Sequence, residues 1–294
     1  MAQGLYTEQK HGTRKNQSRC VGVNMNEKST KNIPVVILCG GMGMRIRDVA
    51  ENIPKPMIHI GNYPILWHIM KTYSHFGFND FILCLGYKGE VIKQYFMNYY
   101  AMINDVAINL SKPNGFTYMG SQIKETWRVI LADTGIDTMT GGRVSRVRQY
   151  LAKAENFMLT YGDGVADIDI AKLLEFHLAH GKLATVTGVH PISRFGEMDV
   201  DEHGKVKAFA EKPQVSEGRI NGGFFVIRRE FINKYLTDNL DLILEQQPLT
   251  QCAKDGELAS YSHNGYWQPM DTYREYKALN DLWESNKAPW KIWE

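Results

Sequence analysis

The feature that most constrains this chain is the stretch VVILCGGMGMRIRDVAENIPKPM, residues 35–57. Five apolar residues, Val35 to Cys39, stop abruptly at Gly40-Gly41, and Gly43, Arg45, Arg47 and Lys55-Pro56 follow. A short, β-branched apolar run of this kind reads as a buried strand. Glycines after it let the backbone turn sharply and approach a ligand with no Cβ in the way. Successive N–H groups in such a turn form an anion nest, and the arginines and lysine add full positive charge. The combination predicts a polyphosphate at the carboxyl end of the first strand.

Two well-known phosphate motifs do not fit. Gly41 and Gly43 match the start of G-x-G-x-x-G, but Ile46 stands where the third glycine belongs. The P-loop pattern is absent. The turn is therefore a phosphate loop of another kind or, as the bland alternative, a purely structural turn.

At 294 residues, with 44% hydrophobic and 22% charged residues, the chain has the material for a sizeable core. A formal charge of only +2 argues against nucleic acid or an anionic membrane as partner. No apolar run is long enough to span a bilayer. Cys20, Cys39, Cys84 and Cys252 have no metal-site spacing, and Cys39 and Cys84 lie in strand-like runs as plain thiols. Lacking an apolar signal segment, the chain is expected in the cytoplasm. Residues 1–33 are polar and aperiodic and read as a disordered extension, with Met25 an alternative start; residues 34–294 read as the catalytic domain.

The body alternates strand and helix signals. PILWHIMKTYSHF (64–76) has helical spacing and ends at Gly77. FILCL (81–85) is a second strand, and residues 88–99 a second helix. This is the βαβ alphabet of a parallel sheet. Residues 101–125 lose the rhythm and suggest an irregular excursion or edge hairpin; 126–132 is strand-like. Thr140-Gly141-Gly142-Arg143 reads as a polar turn before a helix, either a ligand wall or a helix entrance with exposed arginines. FMLTY (157–161) is a strand ending in Gly162-Asp163-Gly164, and Asp169 caps a helix to about His180. An acidic residue between glycines at a strand end is a metal-ligand candidate on the same rim as the first loop; a turn-forming Asp is its bland counterpart.

Strands are expected at 183–190 and 206–210, the latter leading to Glu211-Lys212-Pro213, which repeats the Lys-Pro form of Lys55-Pro56. Proline biases the residue before it to an extended backbone, which makes the lysine's reach repeatable. Asn221-Gly222-Gly223 precedes the apolar run 224–227, with an amide suited to reading a sugar hydroxyl. Helical stretches follow at 231–244, to Gly256, and at 274–283, and Trp290 and Trp293 are expected to dock on their own domain or on a partner subunit.

Taken in order, these motifs resemble the sugar-1-phosphate nucleotidylyltransferase family. The shared signature is Gly40-Gly41, Gly43, Arg45, Lys55-Pro56, Asp163 and Glu211-Lys212-Pro213. Four stretches resemble the cytidylyl branch in particular: 64–70, Tyr161-Gly162-Asp163-Gly164, 221–226 and 267–272. The resemblance spans residue 34 to the end. It implies an α/β fold, a Rossmann-like, mostly parallel mixed sheet flanked by helices, with a smaller sugar-binding and C-terminal portion. It also implies CTP and glucose 1-phosphate as substrates, Mg²⁺ as cofactor, and a homo-oligomer, a hexamer, with hairpin and aromatic elements at subunit boundaries. A related enzyme with another nucleotide or sugar 1-phosphate, or a catalytically weakened binding protein, is the alternative.

The same resemblance implies the roles. The turn Gly40, Gly41, Gly43, Met44 cradles the nucleotide; Arg45 neutralises the leaving phosphates; Lys55 reaches the phosphate chain. Asp163 and Asp271 hold Mg²⁺, beside Gly162. Lys212 holds the sugar phosphate, Glu211, Asn221 and Gly222 shape the sugar pocket, and Arg128 and Thr134 contact the base or a neighbouring subunit. Met44 departs from the family's usual Thr, and a thioether donates no hydrogen bond. A role for the backbone alone leaves activity intact; a role for the hydroxyl lowers activity or alters nucleotide preference.

Overall fold

A computed structural model describes residues 33–41, 53–113, 115–120, 125–190, 197–200, 202, 205–210 and 218–293. The expectations for residues 1–32 and for Gly43, Met44, Arg45, Glu211 and Lys212 lie outside the described residues.

The strands of the main sheet are β1 (Val35–Leu38), β2 (Asp80–Leu85), β3 (Arg128–Asp133), β4 (Asn156–Tyr161), β5 (Ala184–Val189), β6 (Ile220–Asn221), β7 (Phe225–Arg228) and β8 (Leu258–His263). The helices are α1 (Ile65–His75), α2 (Gly89–Met97), α3 (Tyr99–Ile103), α4 (Thr140–Arg146), α5 (Ile170–His180), α6 (Glu230–Tyr235), α7 (Gln247–Lys254) and α8 (Tyr273–Glu284). β1 lies between β2 and β4, parallel to both, and β3 extends the parallel run beyond β2. β7 then pairs antiparallel with β4 and with β5, and β8 closes the far edge parallel to β5. Only β6 and β7 oppose the common direction, so the sheet is mixed but mostly parallel.

β1 is buried along its whole length, and its alternate side chains enter different cores. Val35 and Ile37 face α1, α2 and the C-terminal tail; Val36 and Leu38 face α4, α6 and α7. This two-sided burial is why the strand reads as a continuous apolar run. α5 begins on Asp169, whose carboxylate accepts from Lys172 N at 2.9 Å, and ends on Gly181 at φ 69°.

The tail docks on its own chain. Trp290 is fully buried, its indole N–H donating to His68 Nδ1 at 3.4 Å. The stretch 101–125 contains a two-stranded hairpin, Asp105–Ile108 against Phe116–Met119. Two expectations are corrected. The helical pattern of 231–244 gives only α6, because the backbone turns extended at Leu236. Thr140-Gly141-Gly142-Arg143 is the first turn of α4 itself, and Arg143 is buried rather than exposed. Close approach explains the glycines: a Cβ on Gly141 would lie 2.9 Å from Leu242 O, and one on Gly142 3.0 Å from Leu240 O.

Candidate active site

The carboxyl rim of the sheet gathers residues from distant parts of the sequence. Lys55 opens a short 3₁₀ turn, Lys55–Met57, preceded by an extended Pro54; the extended backbone expected at Lys55 from the proline after it is corrected, because the residue joins the turn. Its ammonium lies 2.6 Å from Asp163 Oδ2 and 2.5 Å from Asp271 Oδ1. The side chain is only 11% exposed. Burial works against its charge, but Asp163 and Asp271 outweigh burial and raise the Lys55 pKa above the usual lysine value.

Local structure explains how three segments meet. Gly162 N donates to Leu38 O at 3.1 Å, and a Cβ there would lie 2.9 Å from Leu38 O and 3.0 Å from Pro56 Cγ. Only glycine lets the end of β4 close on β1 and on the Lys-Pro turn, which carries Asp163 to Lys55. Asp271 arrives through backbone pairing. Trp267–Pro269 runs antiparallel to Gly164–Ala166, and Met270 N donates to Asp163 O at 2.8 Å. Thr272 and Glu275 then form a capping box at the start of α8, and Glu275 Oε2 also accepts from Asp271 N at 2.7 Å. One ammonium and two carboxylates leave the trio one negative charge in excess, and hard oxygen donors of this kind suit a divalent cation such as Mg²⁺. Among the described residues no group of three or more His, Cys, Asp or Glu is placed to hold a metal, so phosphate and water oxygens would have to complete its shell.

Beside this trio lies a cation that sequence reasoning missed in its buried form. The Arg143 guanidinium donates to Leu85 O (2.9 Å), Thr134 Oγ1 (2.8 Å), Gly135 O (2.8 Å), Gly40 O (3.1 Å) and Ile136 O (3.2 Å). It thereby ties together the chain ends that leave β1, β2 and β3. Gly40 and Gly86 are obligatory here, since a Cβ on either would meet the guanidinium at 2.1 and 2.4 Å. Burial lowers the Arg143 pKa. The sequence signals were a glycine beyond each apolar strand and the Thr140–Arg143 turn, read as a ligand wall or an entrance with exposed arginines; neither reading contained a buried clamp. Cys39 and Cys84 are buried and their thiols are pushed up, Cys84 to about 12, so neither is a ready thiolate.

The remaining wall is a bulge. Asn221 pairs with Gly188 and Val226 with Thr185, so six residues oppose four across β5. Gly223 at φ 75° and the buried Phe224 at φ 49° carry the irregularity; a left-handed phenylalanine is a strained position. Asn221 Oδ1 accepts from Gly223 N at 2.9 Å, and its Nδ2 donates to the Tyr161 hydroxyl at 3.1 Å. Gly222 O accepts from the Trp267 indole at 2.8 Å. Tyr161 in turn donates to Glu245 Oε1 at 2.6 Å, a residue the sequence did not single out.

Among the sequence-predicted residues, the structure brings Gly40, Gly41, Lys55, Gly162, Asp163, Asn221, Gly222 and Asp271 to this rim, with Thr134 buried beneath it against Arg143. Arg128 does not join them, and of its two expected contacts, with the base or with a neighbouring subunit, its position bears only on the first. It opens β3 opposite Asp80, the first residue of β2, and pairs with that carboxylate at 2.7 Å. Parallel strands put their first residues on the edge of the sheet opposite the rim, so Arg128 stands away from the site.

A family model described as nucleotidyl transferase matches residues 34–281. The chain is 49% identical over 259 residues to a glucose-1-phosphate cytidylyltransferase of Salmonella typhi, covering 88% of this chain and 99% of the relative. It is 31% identical over 201 residues to a D-glycero-α-D-manno-heptose 1-phosphate guanylyltransferase of Campylobacter jejuni, covering 68% and 78%. Among solved structures it is similar to HddC from Yersinia pseudotuberculosis, with a TM-score of 0.61, 23% identity and coverage of 85% and 99%, a likeness of fold.

Proposed function

The chain belongs to the nucleotidyl transferase family, and we propose that it transfers a cytidylyl group from CTP to α-D-glucose 1-phosphate, releasing pyrophosphate and giving CDP-glucose. The observation that carries this reading is the convergence of Lys55, Asp163 and Asp271 beside the Gly40-Gly41 turn. A phosphate oxygen of the sugar phosphate attacks the α-phosphorus of CTP, and the bond to pyrophosphate breaks. A sugar phosphate is mostly a dianion at neutral pH and needs no general base. The protein's task is positioning and charge neutralisation, which suits a rim built from glycine, lysine, arginine and aspartate.

Lys55 binds the phosphate chain of CTP, with Gly40, Gly41, Gly43 and Met44 cradling the nucleotide and Arg45 facing the departing pyrophosphate. Lys212 holds the phosphate of glucose 1-phosphate, and Glu211, Asn221 and Gly222 shape the sugar pocket. Asp163 and Asp271 are the residues that would hold Mg²⁺; when bound, the ion neutralises phosphate charge. Thr134 acts from beneath, through Arg143. The protein assembles as a homo-oligomer, a hexamer. Support comes from the hairpin at 105–119, where Phe116, Thr117, Tyr118 and Met119 are all exposed, since an isolated apolar hairpin is marginal without cover. No helix among the described residues is long and apolar enough to cross a membrane, and we place the enzyme in the cytoplasm.

Pyrophosphate release with glucose 1-phosphate and Mg²⁺, measured separately with CTP, UTP, dTTP, ATP and GTP, tests the assignment. Turnover with CTP alone is expected. Turnover with another nucleotide keeps the mechanism and moves the base assignment; no release with any of them overturns the reading.

A further inference from the structure

We propose that Glu245 is a positioning residue for the sugar end of the site, fixing the Asn221 amide through the Tyr161 hydroxyl; this rests on the function proposed above. The argument is a proton inventory. Glu245 accepts from two hydroxyls at once, Tyr161 at Oε1 (2.6 Å) and Thr140 at Oε2 (2.7 Å). A hydroxyl has one proton to give. The Tyr161 proton is committed to the carboxylate, so toward Asn221 its oxygen can only accept. The group facing it must therefore be the Nδ2 amine, as found at 3.1 Å. Gly223 N–H, donating to Oδ1 at 2.9 Å, enforces the same orientation from the other side.

The amide is thus locked with one N–H spent on Tyr161. Among the described residues nothing engages its second N–H, which is left as a donor of defined direction on an exposed side chain. A sugar hydroxyl or ring oxygen is the chemistry that donor fits. The relay also sits where it can act: Tyr161 ends β4 and directly precedes Gly162-Asp163. The second arm of Glu245 holds Thr140, the first residue of α4, and α4 carries Arg143. One carboxylate therefore spaces the bulge at Asn221 from the clamped ends of the parallel strands.

The test compares Tyr161→Phe, Glu245→Gln and their combination in the full chain. Tyr161→Phe keeps the ring packed on Phe225 and removes only the link. Losing one oriented hydrogen bond should raise KM for glucose 1-phosphate about three- to tenfold, with kcat, KM for CTP and melting temperature nearly unchanged. Glu245→Gln should shift KM the same way but less, because a carbonyl oxygen survives. The double variant should be no worse than Tyr161→Phe, as expected of two links in one chain. An unchanged KM for glucose 1-phosphate, a rise shared with CTP, or multiplicative effects in the double variant would overturn the relay while leaving the function standing. A wild-type chain without turnover would overturn both.

Discussion

Two buried cations stand at the same rim, and they are held in opposite ways. Lys55 faces two carboxylates and its pKa is raised; Arg143 faces four carbonyls and a hydroxyl and its pKa is lowered. Neutral dipoles converging on a planar fork make a fixed clamp, since no arriving ligand can replace so many oriented acceptors. Charged partners make an exchangeable contact. Polyphosphate and a divalent cation bring the counter-charges that Lys55 and its two aspartates now supply to each other. The arginine therefore holds the strand ends in place, and the lysine is the cation that can be handed to substrate.

The largest effect expected is from Asp163→Ala, which removes one partner of Lys55 and one hard oxygen donor. Turnover should fall by about 10³-fold or more with the fold intact by circular dichroism; near-normal turnover at saturating Mg²⁺ would sink the ligand role. Arg143→Met should leave buried carbonyls without donors and lower stability by about 3 kcal/mol, read by denaturant titration. A loss under 1 kcal/mol would mean the clamp is dispensable. For Lys55→Met the comparison predicts the reverse pattern, a roughly 10²-fold loss of turnover with little loss of fold. Its melting temperature should rise more with added Mg²⁺ than that of the wild type, because no ammonium competes for the two carboxylates. A melting temperature indifferent to Mg²⁺ would count against the carboxylates as ligands.

Neither cation loses its proton in acid, so the smallest effect isolates other groups. Burial pushes both His68 and His177 down to about 4. Both are placed as neutral rings: His68 Nε2 lies 3.0 Å from Ile60 O, and His177 Nδ1 and Nε2 contact Thr185 Oγ1 at 2.8 Å and Asn156 Oδ1 at 3.3 Å. With an unfolded value near 6.5, the unfolded chain binds more protons between about pH 4 and 6.5. Stability should be full above that window and decline as pH falls through it, by about 1 kcal/mol for each ring at pH 5.5. His177→Gln should flatten part of this slope, and an unaltered slope would exclude the ring as its source.

The sequence by itself determined the alternation of strand and helix, the glycine loop beyond β1, the cap at Asp169 and the motif segments that meet at the rim. Those features are local: hydrophobic period, turn chemistry and capping act over a few residues and can be read in a window. Tertiary structure alone decided that Lys55, Asp163 and Asp271 share one point, because Gly162 closes on Leu38 while Met270 pairs with Asp163. It alone turned Arg143 inward, since its acceptors come from the ends of three strands and exist only once the sheet has formed. Arg128 went the other way, to the opposite edge, because its place in β3 was fixed by register with Asp80. Glu245 was illegible for the same reason, its two hydroxyl donors lying 84 and 105 residues away in the chain.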